Sequence, residues 1–307
     1  MRDISSKQIT LRTAEAIAML HCAESTLAMI RDQALPKGNA FEIAKAAGLL
    51  GAKNTSSLIP HCHPVSIDSM DIRFAQLDPA ESLSSGIRIL ATGKSIGRTG
   101  IEMEVLTAVT VSALTLYDLL KPVDEHLEIT GIRLLQKTGG KSDRNNLFSQ
   151  PPTCAILVCS DSAAAGKQED RSGLIIRLLL REANAEVSDY LVIADDKKMI
   201  QSQIKAWVKQ DIQFIFTTGG TGLGPRDHTV TAVAEILERD APGIPEAMRS
   251  FGQQRNPLAM MSGGIAGSIG QTLIITLPGS PTGARESLEA ILPGVFHARS
   301  MLKGGGH

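Results

Sequence analysis

Aromatic residues are scarce in this 307-residue chain, with 1 Trp, 2 Tyr and 7 Phe. That scarcity argues against the stacked-base platforms by which proteins hold single-stranded nucleic acid. An excess of either charge is missing too: Lys and Arg number 31, Asp and Glu 32, for a formal net charge of −1. By halves, residues 1–150 carry 16 basic and 16 acidic side chains, and the remainder carry 15 and 16. Neither half has the basic surplus that nonspecific nucleic-acid binding draws on, so an anionic ligand must be held by a local cluster. The four cysteines, Cys22, Cys62, Cys154 and Cys159, include no C-x-x-C pair, which points to neither a disulfide framework nor a zinc ribbon. No unbroken apolar run approaches the roughly 20 residues that cross a bilayer. The opening MRDISSKQIT lacks the apolar core of a secretory leader, and a cytoplasmic location is the default expectation.

What is present divides in two. The length suggests two domains, and the polar, proline-bearing stretch SDRNNLFSQPP, 142–152, interrupts patterned sequence as linkers do. Boundaries at 1–142, 143–152 and 153–307 follow. Before the seam the pattern predicts helix 12–32, strands 67–76 and 86–92, helix 103–120 and strand 127–135, an α+β domain with an antiparallel sheet. After it, strands 154–159, 187–193, 212–218 and 272–277 alternate with helices 171–183, 197–209, 229–239 and 283–292. That alternation predicts a mostly parallel sheet covered by helices, with ligands beyond the carboxyl ends of the strands.

IQFIFTTGGTGLGPRDHTV is the most specific stretch of the second half. A strand ends at Thr217 and Thr218, and Gly219, Gly220, Thr221 and Gly222 let the backbone approach a ligand. Thr229 is placed to cap the next helix. The exposed amides of such a turn suit a phosphate, although glycine turns also occur without a ligand. No Lys-Ser/Thr pair follows, so this is not a Walker A loop. A second glycine turn, TLPGSPTG, and the acidic loop IADDKK reach the same sheet edge. Asp195 and Asp227 there could hold Mg²⁺ on a nucleotide, since hard oxygen ligands suit that ion.

CSDSAAAGKQEDRSG, TTGGTGLGPRD and LPGSP stand in this order across 153–302, and together they resemble the molybdopterin adenylyltransferase (MogA/MoaB-like) family. The resemblance implies transfer of AMP from Mg-ATP to molybdopterin. It implies metal or catalytic roles for Asp195 and Asp227. Asp161, Asp170, Thr218, Gly219, Gly220, Thr221, Gly222, Gly279, Ser280 and Pro281 would line the pterin and nucleotide site. Ser262-Gly263-Gly264 stands where the family often has Ser-Arg-Ala, and Ala194 replaces a usual proline. The missing arginine motivates an alternative, in which this domain is a non-catalytic molybdopterin-binding or oligomerisation module.

In the first half, IEMEVLTAVTVSALTLYDLLKP reads as a helix ended by Pro122. Asp118 and Lys121 are three apart near its last turn, while Glu102 and Glu104 sit where the dipole favours carboxylates. A surface ion pair is the plain reading of Asp118 and Lys121. Lys37-Gly38, Lys53, and Lys137 and Lys141 around a double glycine add cations suited to a polyanion. Lysines so gathered are expected to depress one another's pKa and serve as general acids.

MRDISSKQITLR, LPKGNAFEIAKAAGLLGAKNTSSLIPHCHP, TGIEMEVLTAVTVSALTLYDLLK and LLQKTGGKS, in order over 1–142, resemble the cyclic pyranopterin monophosphate synthase (MoaC) family. The resemblance implies a ferredoxin-like fold. It also implies conversion of a cyclic dihydro-GTP intermediate into cyclic pyranopterin monophosphate with release of diphosphate, without a cofactor. Asp118 and Lys121 would do acid–base work with Lys37 as a further catalytic lysine. Lys53, His61, Cys62, His63, Glu102, Met103, Glu104, Lys137 and Lys141 would contact substrate. Active sites between the subunits of a hexamer are implied, and trimer-type contacts fit the second domain. The expected partners are pterin and nucleotide substrates, with no nucleic acid or membrane.

His61-Cys62-His63 admits three readings: a metal site, a polar turn and a substrate contact. In a strand, His61 and His63 would share one face with Cys62 opposed. Two histidines alone make an incomplete zinc site, and a zinc-dependent hydrolase would need further ligands. Substrate contact led by His63 is the expectation.

Overall fold

A computed structural model describes residues 1–77, 85–140, 150–225 and 227–305. The chain forms two compact units, 1–143 and 144–307.

In the first unit, β1 (Thr10–His21) is followed by α1 (Glu24–Arg31), α2 (Ala40–Lys53), α3 (Thr55–Leu58), β2 (Ser69–Gln76), β3 (Gly86–Gly97), α4 (Glu102–Leu120) and β4 (Glu128–Thr138). The four strands form an antiparallel sheet in the order β2-β3-β1-β4. The predicted helix 12–32 is therefore wrong over its first half. Alanine-rich TLRTAEAIAMLH has helix-forming composition, yet it is a strand paired on both edges. Ala14, Ala16, Ala18 and Leu20 are buried at the two-residue spacing of one sheet face. Small alanines hid this period, and their size suits a sheet covered by helices.

Helix α4 buries Val105, Ala108, Val109, Ser112, Ala113 and Leu116, the three-to-four spacing of a core-facing stripe. The Ser112 hydroxyl donates to Ala44 O of α2 at 3.1 Å. At 19 residues and mean hydropathy 1.4, α4 is long and apolar enough to cross a bilayer, and half of that window is buried inside the protein. Threonines and serines along it conceal this composition from a search for unbroken apolar runs.

In the second unit, β5 (Thr153–Cys159), α5 (Asp161–Ala164), α6 (Arg171–Glu182), β6 (Glu186–Ile193), α7 (Lys197–Lys209), β7 (Phe214–Thr218) and α8 (Thr229–Ala234) come first. Then follow β8 (Arg239–Asp240), α9 (Gly243–Gln253), a 3₁₀ turn (Pro257–Met261), β9 (Ala266–Ile269), β10 (Thr272–Leu277), α10 (Pro281–Ile291) and α11 (Ala298–Leu302). The sheet order is β6-β5-β7-β10-β9-β8, parallel from β6 to β10 and antiparallel beyond. The inner parallel strands β5, β7 and β10 are near-continuously buried, as strands covered on both faces are, whereas the edge strand β6 is largely exposed. The expected helix 229–239 stops at Ala234, and α9 and β9 are not among the elements expected from the sequence.

Candidate functional sites

At the carboxyl end of α4, Asp118 gathers two lysines. Lys121 Nζ lies 2.7 Å from Asp118 Oδ1 and Lys37 Nζ lies 3.2 Å from Oδ2. Lys37 also donates to the Asp118 carbonyl at 3.1 Å, bringing the Leu35–Gly38 turn onto the helix end. Hydrogen bonds from Lys121 and then Lys37 hold the Asp118 carboxyl below its ordinary range. Lys121 moves opposite to expectation: its pKa is raised, because its nearest charge is the Asp118 carboxylate and not another lysine.

The opposite end of α4 holds the carboxylates. Glu102 pairs with Lys137 of β4 at 3.1 Å. Glu104 is 3% exposed, and its pKa is raised by burial and then by the Glu102 charge. The Cys62 thiol is pushed up by burial and by Glu104, which puts the His-Cys-His segment within electrostatic reach of α4. His63 in turn contributes to lowering Asp3, whose main cause is the Ser5 amide. The segment is not a strand. It follows α3 in a turn, with the Cys62 amide donating to Ile59 O at 3.0 Å, so strand alternation does not set its side chains. Met103 is partly exposed on the first turn, Lys53 stands on the last turn of α2, and Lys141 lies outside the described residues.

In the second unit, a cavity of about 890 Å³ opens at the carboxyl ends of β5, β7 and β10. Gly219 and Gly220 adopt φ of 94° and 58°, a region L side chains avoid. A Cβ on Gly219 would lie 2.1 Å from Cys159 O, and one on Gly220 2.2 Å from Asp195 Oδ2. The Thr218 hydroxyl donates to Pro278 O at 2.8 Å, so the two glycine turns stand side by side.

Asp195 is held from three directions. Its amide donates to Asp161 Oδ1 at 3.0 Å, while its carboxylate accepts from the His228 amide at 3.2 Å and the Thr229 hydroxyl at 3.0 Å. Burial raises its pKa, and nearby Asp227 adds to the rise. Thr229 is thus not the cap of α8; His228 occupies that position, and the threonine hydroxyl turns to Asp195 instead. Asp227 accepts from the Gly224 amide at 2.9 Å.

Not every expected residue faces the cavity. Asp161, Asp170, Thr218, Gly219, Gly220, Gly279 and Pro281 line it, whereas Thr221, Gly222 and Ser280 do not. The chain reverses at Gly220, and Thr221 O accepts from the Gly263 amide at 3.1 Å. Gly222 packs toward Asp227. Asp170 caps α6 through the Gly173 amide at 2.8 Å and accepts from the Tyr190 hydroxyl, so its oxygens are largely committed to structure. Ser280 caps α10 through the Gly283 amide at 3.2 Å.

The comparisons with known proteins agree along the whole chain. The model of the MoaC family matches residues 1–140, and that of the "Probable molybdopterin binding domain" matches 155–297. A "Molybdenum cofactor biosynthesis bifunctional protein" of Chlorobaculum tepidum is 43% identical over 307 residues, covering 100% of this chain and 96% of its own. The chain belongs to this family of bifunctional proteins. A cyclic pyranopterin monophosphate synthase of Syntrophomonas wolfei is 46% identical over 142 residues, 46% of this chain and 88% of its own. The molybdopterin biosynthesis enzyme MoaB of Thermus thermophilus is 44% identical, covering 50% of this chain and 96% of its own, at a TM-score of 0.48.

Within the second unit, motif reading named four of the cavity's carboxylates and missed Glu169 and Arg171. Among the cavity's described lining residues are Asp161, Glu169, Asp170, Asp195 and Asp227 against one cation, Arg171. A polyphosphate entering such a wall needs a bridging cation. Carboxylate oxygens are hard ligands of the kind Mg²⁺ takes, and Asp195 and Asp227 both line this cavity. Among the described residues there is no group of three or more His, Cys, Asp or Glu side chains placed to hold a metal ion.

Proposed function

We propose that the first domain converts (8S)-3',8-cyclo-7,8-dihydroguanosine 5'-triphosphate into cyclic pyranopterin monophosphate and diphosphate. The convergence of Lys37 and Lys121 on Asp118 carries this reading. Asp118 and Lys121 are the acid–base pair, the carboxylate orienting the Lys121 ammonium. Glu104, buried on the first turn of α4, contacts substrate. His63, Cys62, His61, Met103 and Lys53 contact substrate, and Lys137 with Lys141 partners its phosphates. The 14 residues separating Glu104 from Asp118, at about 1.5 Å rise each, span about 21 Å. That separation supports a site to which two chains contribute, in a homo-oligomer of the hexameric kind. The strand order β2-β3-β1-β4 with helices in both crossovers supports the ferredoxin-like reading of this fold.

The second domain transfers AMP from ATP to the phosphate of molybdopterin, an oxygen of that phosphate attacking the α-phosphorus as diphosphate leaves. Asp195 and Asp227 hold Mg²⁺, which supplies charge neutralisation of the phosphates. The first glycine turn and Gly279 let the nucleotide approach the backbone. The acidic cavity at the paired glycine turns is the observation that carries this half, and trimer-type contacts belong to the same reading. Gly263, where an arginine is usual, favours the alternative of a binding module without transfer. Four free cysteines fit a reducing compartment, which supports a cytoplasmic location.

Complementation decides between them. The full chain should rescue both a synthase-null and an adenylyltransferase-null strain. Rescue of the first alone would select the binding-module alternative, and rescue of neither would refute both assignments.

A further inference from the structure

The wall of the cavity at the glycine turns holds one cation among its described residues, Arg171, beside four aspartates and a glutamate. Arg171 is the first residue of α6, and Asp170 before it caps that helix. Both Asp170 oxygens are taken. Oδ1 accepts from the Gly173 amide at 2.8 Å and the Ser172 hydroxyl at 3.2 Å, and Oδ2 accepts from the Tyr190 hydroxyl of β6. The Arg177 guanidinium lies over the Tyr190 ring, 5.2 Å from its centroid. A Cβ on Gly173 would collide with Asp170 Oδ2 and the Tyr190 oxygen, so this packing admits only glycine. The first turn of α6 is thereby pinned to the sheet at the rim of the cavity.

The backbone of Arg171 is fixed, but its side chain is loosely held. Asp170 is committed elsewhere, and the guanidinium pairs with Glu169, Nε lying 3.5 Å from Oε2. Both side chains are exposed, and exposed pairs of this kind are weak. The contact uses one of the five guanidinium N–H donors. Among the described residues the other four have no partner, nor does the second Glu169 oxygen. Such an arginine can exchange its carboxylate for a phosphate, which the planar fork grips with two parallel N–H···O bonds.

We infer that Arg171 is a catalytic residue that takes the β- and γ-phosphates of the nucleotide, with Glu169 its partner between turnovers. The inference rests on the reading of this domain as one that transfers AMP. In that reaction a phosphate oxygen of the pterin substrate bonds to the α-phosphorus. The bond from that phosphorus to the bridging oxygen breaks, and diphosphate departs with the bond's electron pair. Negative charge therefore grows on the departing group, against a wall otherwise lined with carboxylates. A cation placed there gains more in the transition state than in the ground state, and only such a difference raises kcat. Of the two substrates the triphosphate carries the greater charge, which favours it over the pterin phosphate as the guanidinium's partner.

Calorimetry on the full chain with Mg²⁺ and α,β-methylene-ATP, which cannot transfer AMP, tests the contact apart from turnover. Arg171→Met should weaken binding of the analogue at least about tenfold and leave that of AMP, which lacks both outer phosphates, unchanged. In steady-state AMP transfer the same variant should lose about 10²-fold in kcat, with the KM for molybdopterin unchanged. Arg171→Lys, which keeps the charge but loses the planar fork, should recover part of both. Glu169→Gln should tighten the analogue in the wild-type background and not in Arg171→Met, because the carboxylate competes through the arginine. Analogue affinity equal in Arg171→Met and wild type, AMP weakened as much as the analogue, or a change confined to the KM for molybdopterin overturns the assignment. Tightening by Glu169→Gln in both backgrounds removes Glu169 as the resting partner. A wild-type chain that transfers no AMP, with the analogue result intact, removes the adenylyltransferase reading and keeps the phosphate contact.

Discussion

The hydroxyl of Thr229 donates to Asp195 Oδ1 at 3.0 Å, joining the first residue of α8 to the loop after β6. Thirty-four residues apart in sequence, the two meet because β6 and β7 flank β5 in one sheet. The bond fixes one oxygen of a carboxylate that the His228 amide fixes by the other.

Thr229→Val should therefore lower AMP transfer about 10–100-fold, the usual cost of losing a partner that orients a metal-ligating carboxylate. Thr229→Ser should retain most of it. Steady-state kinetics with Mg²⁺ titration checks this: the valine variant should need more Mg²⁺ for half-maximal rate. Equal rates for valine and wild type would show that the hydroxyl does not orient Asp195.

Gly220→Ala combines a left-handed backbone, costing about 1–2 kcal/mol for an L residue, with a methyl group 2.2 Å from Asp195 Oδ2. AMP transfer should be lost, and thermal unfolding should begin at lower temperature. The first domain's turnover, measured on the same preparation, should persist.

Lys121→Ala should cut synthase turnover by about 10²–10⁴-fold, the typical worth of a positioned acid or base, while circular dichroism stays unchanged because the side chain is exposed. The shift directions set the pH range. Asp118, lowered, keeps its side of the pair above the ordinary aspartate range near about 3.9 and loses it as pH falls through its depressed value. Lys121, raised, keeps its side below the ordinary lysine value near about 10.4 and loses it above its elevated one. Across neutral pH the deficit of the variant should be flat.

Glu104 works in the other direction. A carboxyl whose folded pKa lies above its unfolded value favours the protonated form, so the fold loses stability as pH rises through the glutamate range. Glu104→Gln should raise Tm at pH 7 by a few degrees, and the gain should vanish in acid below that range. The same substitution should impair the synthase, a trade of activity for stability. A melting curve that shifts equally at pH 3 and pH 7 would contradict the burial argument.

Chelation separates the halves. EDTA should stop AMP transfer, with Mg²⁺ restoring it, and leave synthase turnover unchanged. His63→Ala should reduce that turnover in a way added zinc does not repair. Zinc found at one ion per chain, with synthase activity lost on chelation and regained with zinc, would make His61-Cys62-His63 a metal site.

Much of this protein is written locally. Glycine turns after strands, the alternation of strand and helix beyond 153, and the Asp118–Lys121 spacing depend on neighbours within a few residues, and chain geometry alone carries them into the fold. The structure decided what depends on distant partners. Thr10–His21 is a strand because β3 and β4 offer hydrogen bonds on both edges, overriding the helical preference of its alanines. Lys37 reaches Asp118 from 81 residues away in sequence, which neighbouring residues do not determine. Thr229 reaches Asp195, and Tyr190 reaches Asp170, only once sheet order has set their elements side by side. Sequence determined which groups are present and how each segment turns; long-range pairing and burial determined which groups meet and which protonation state each favours.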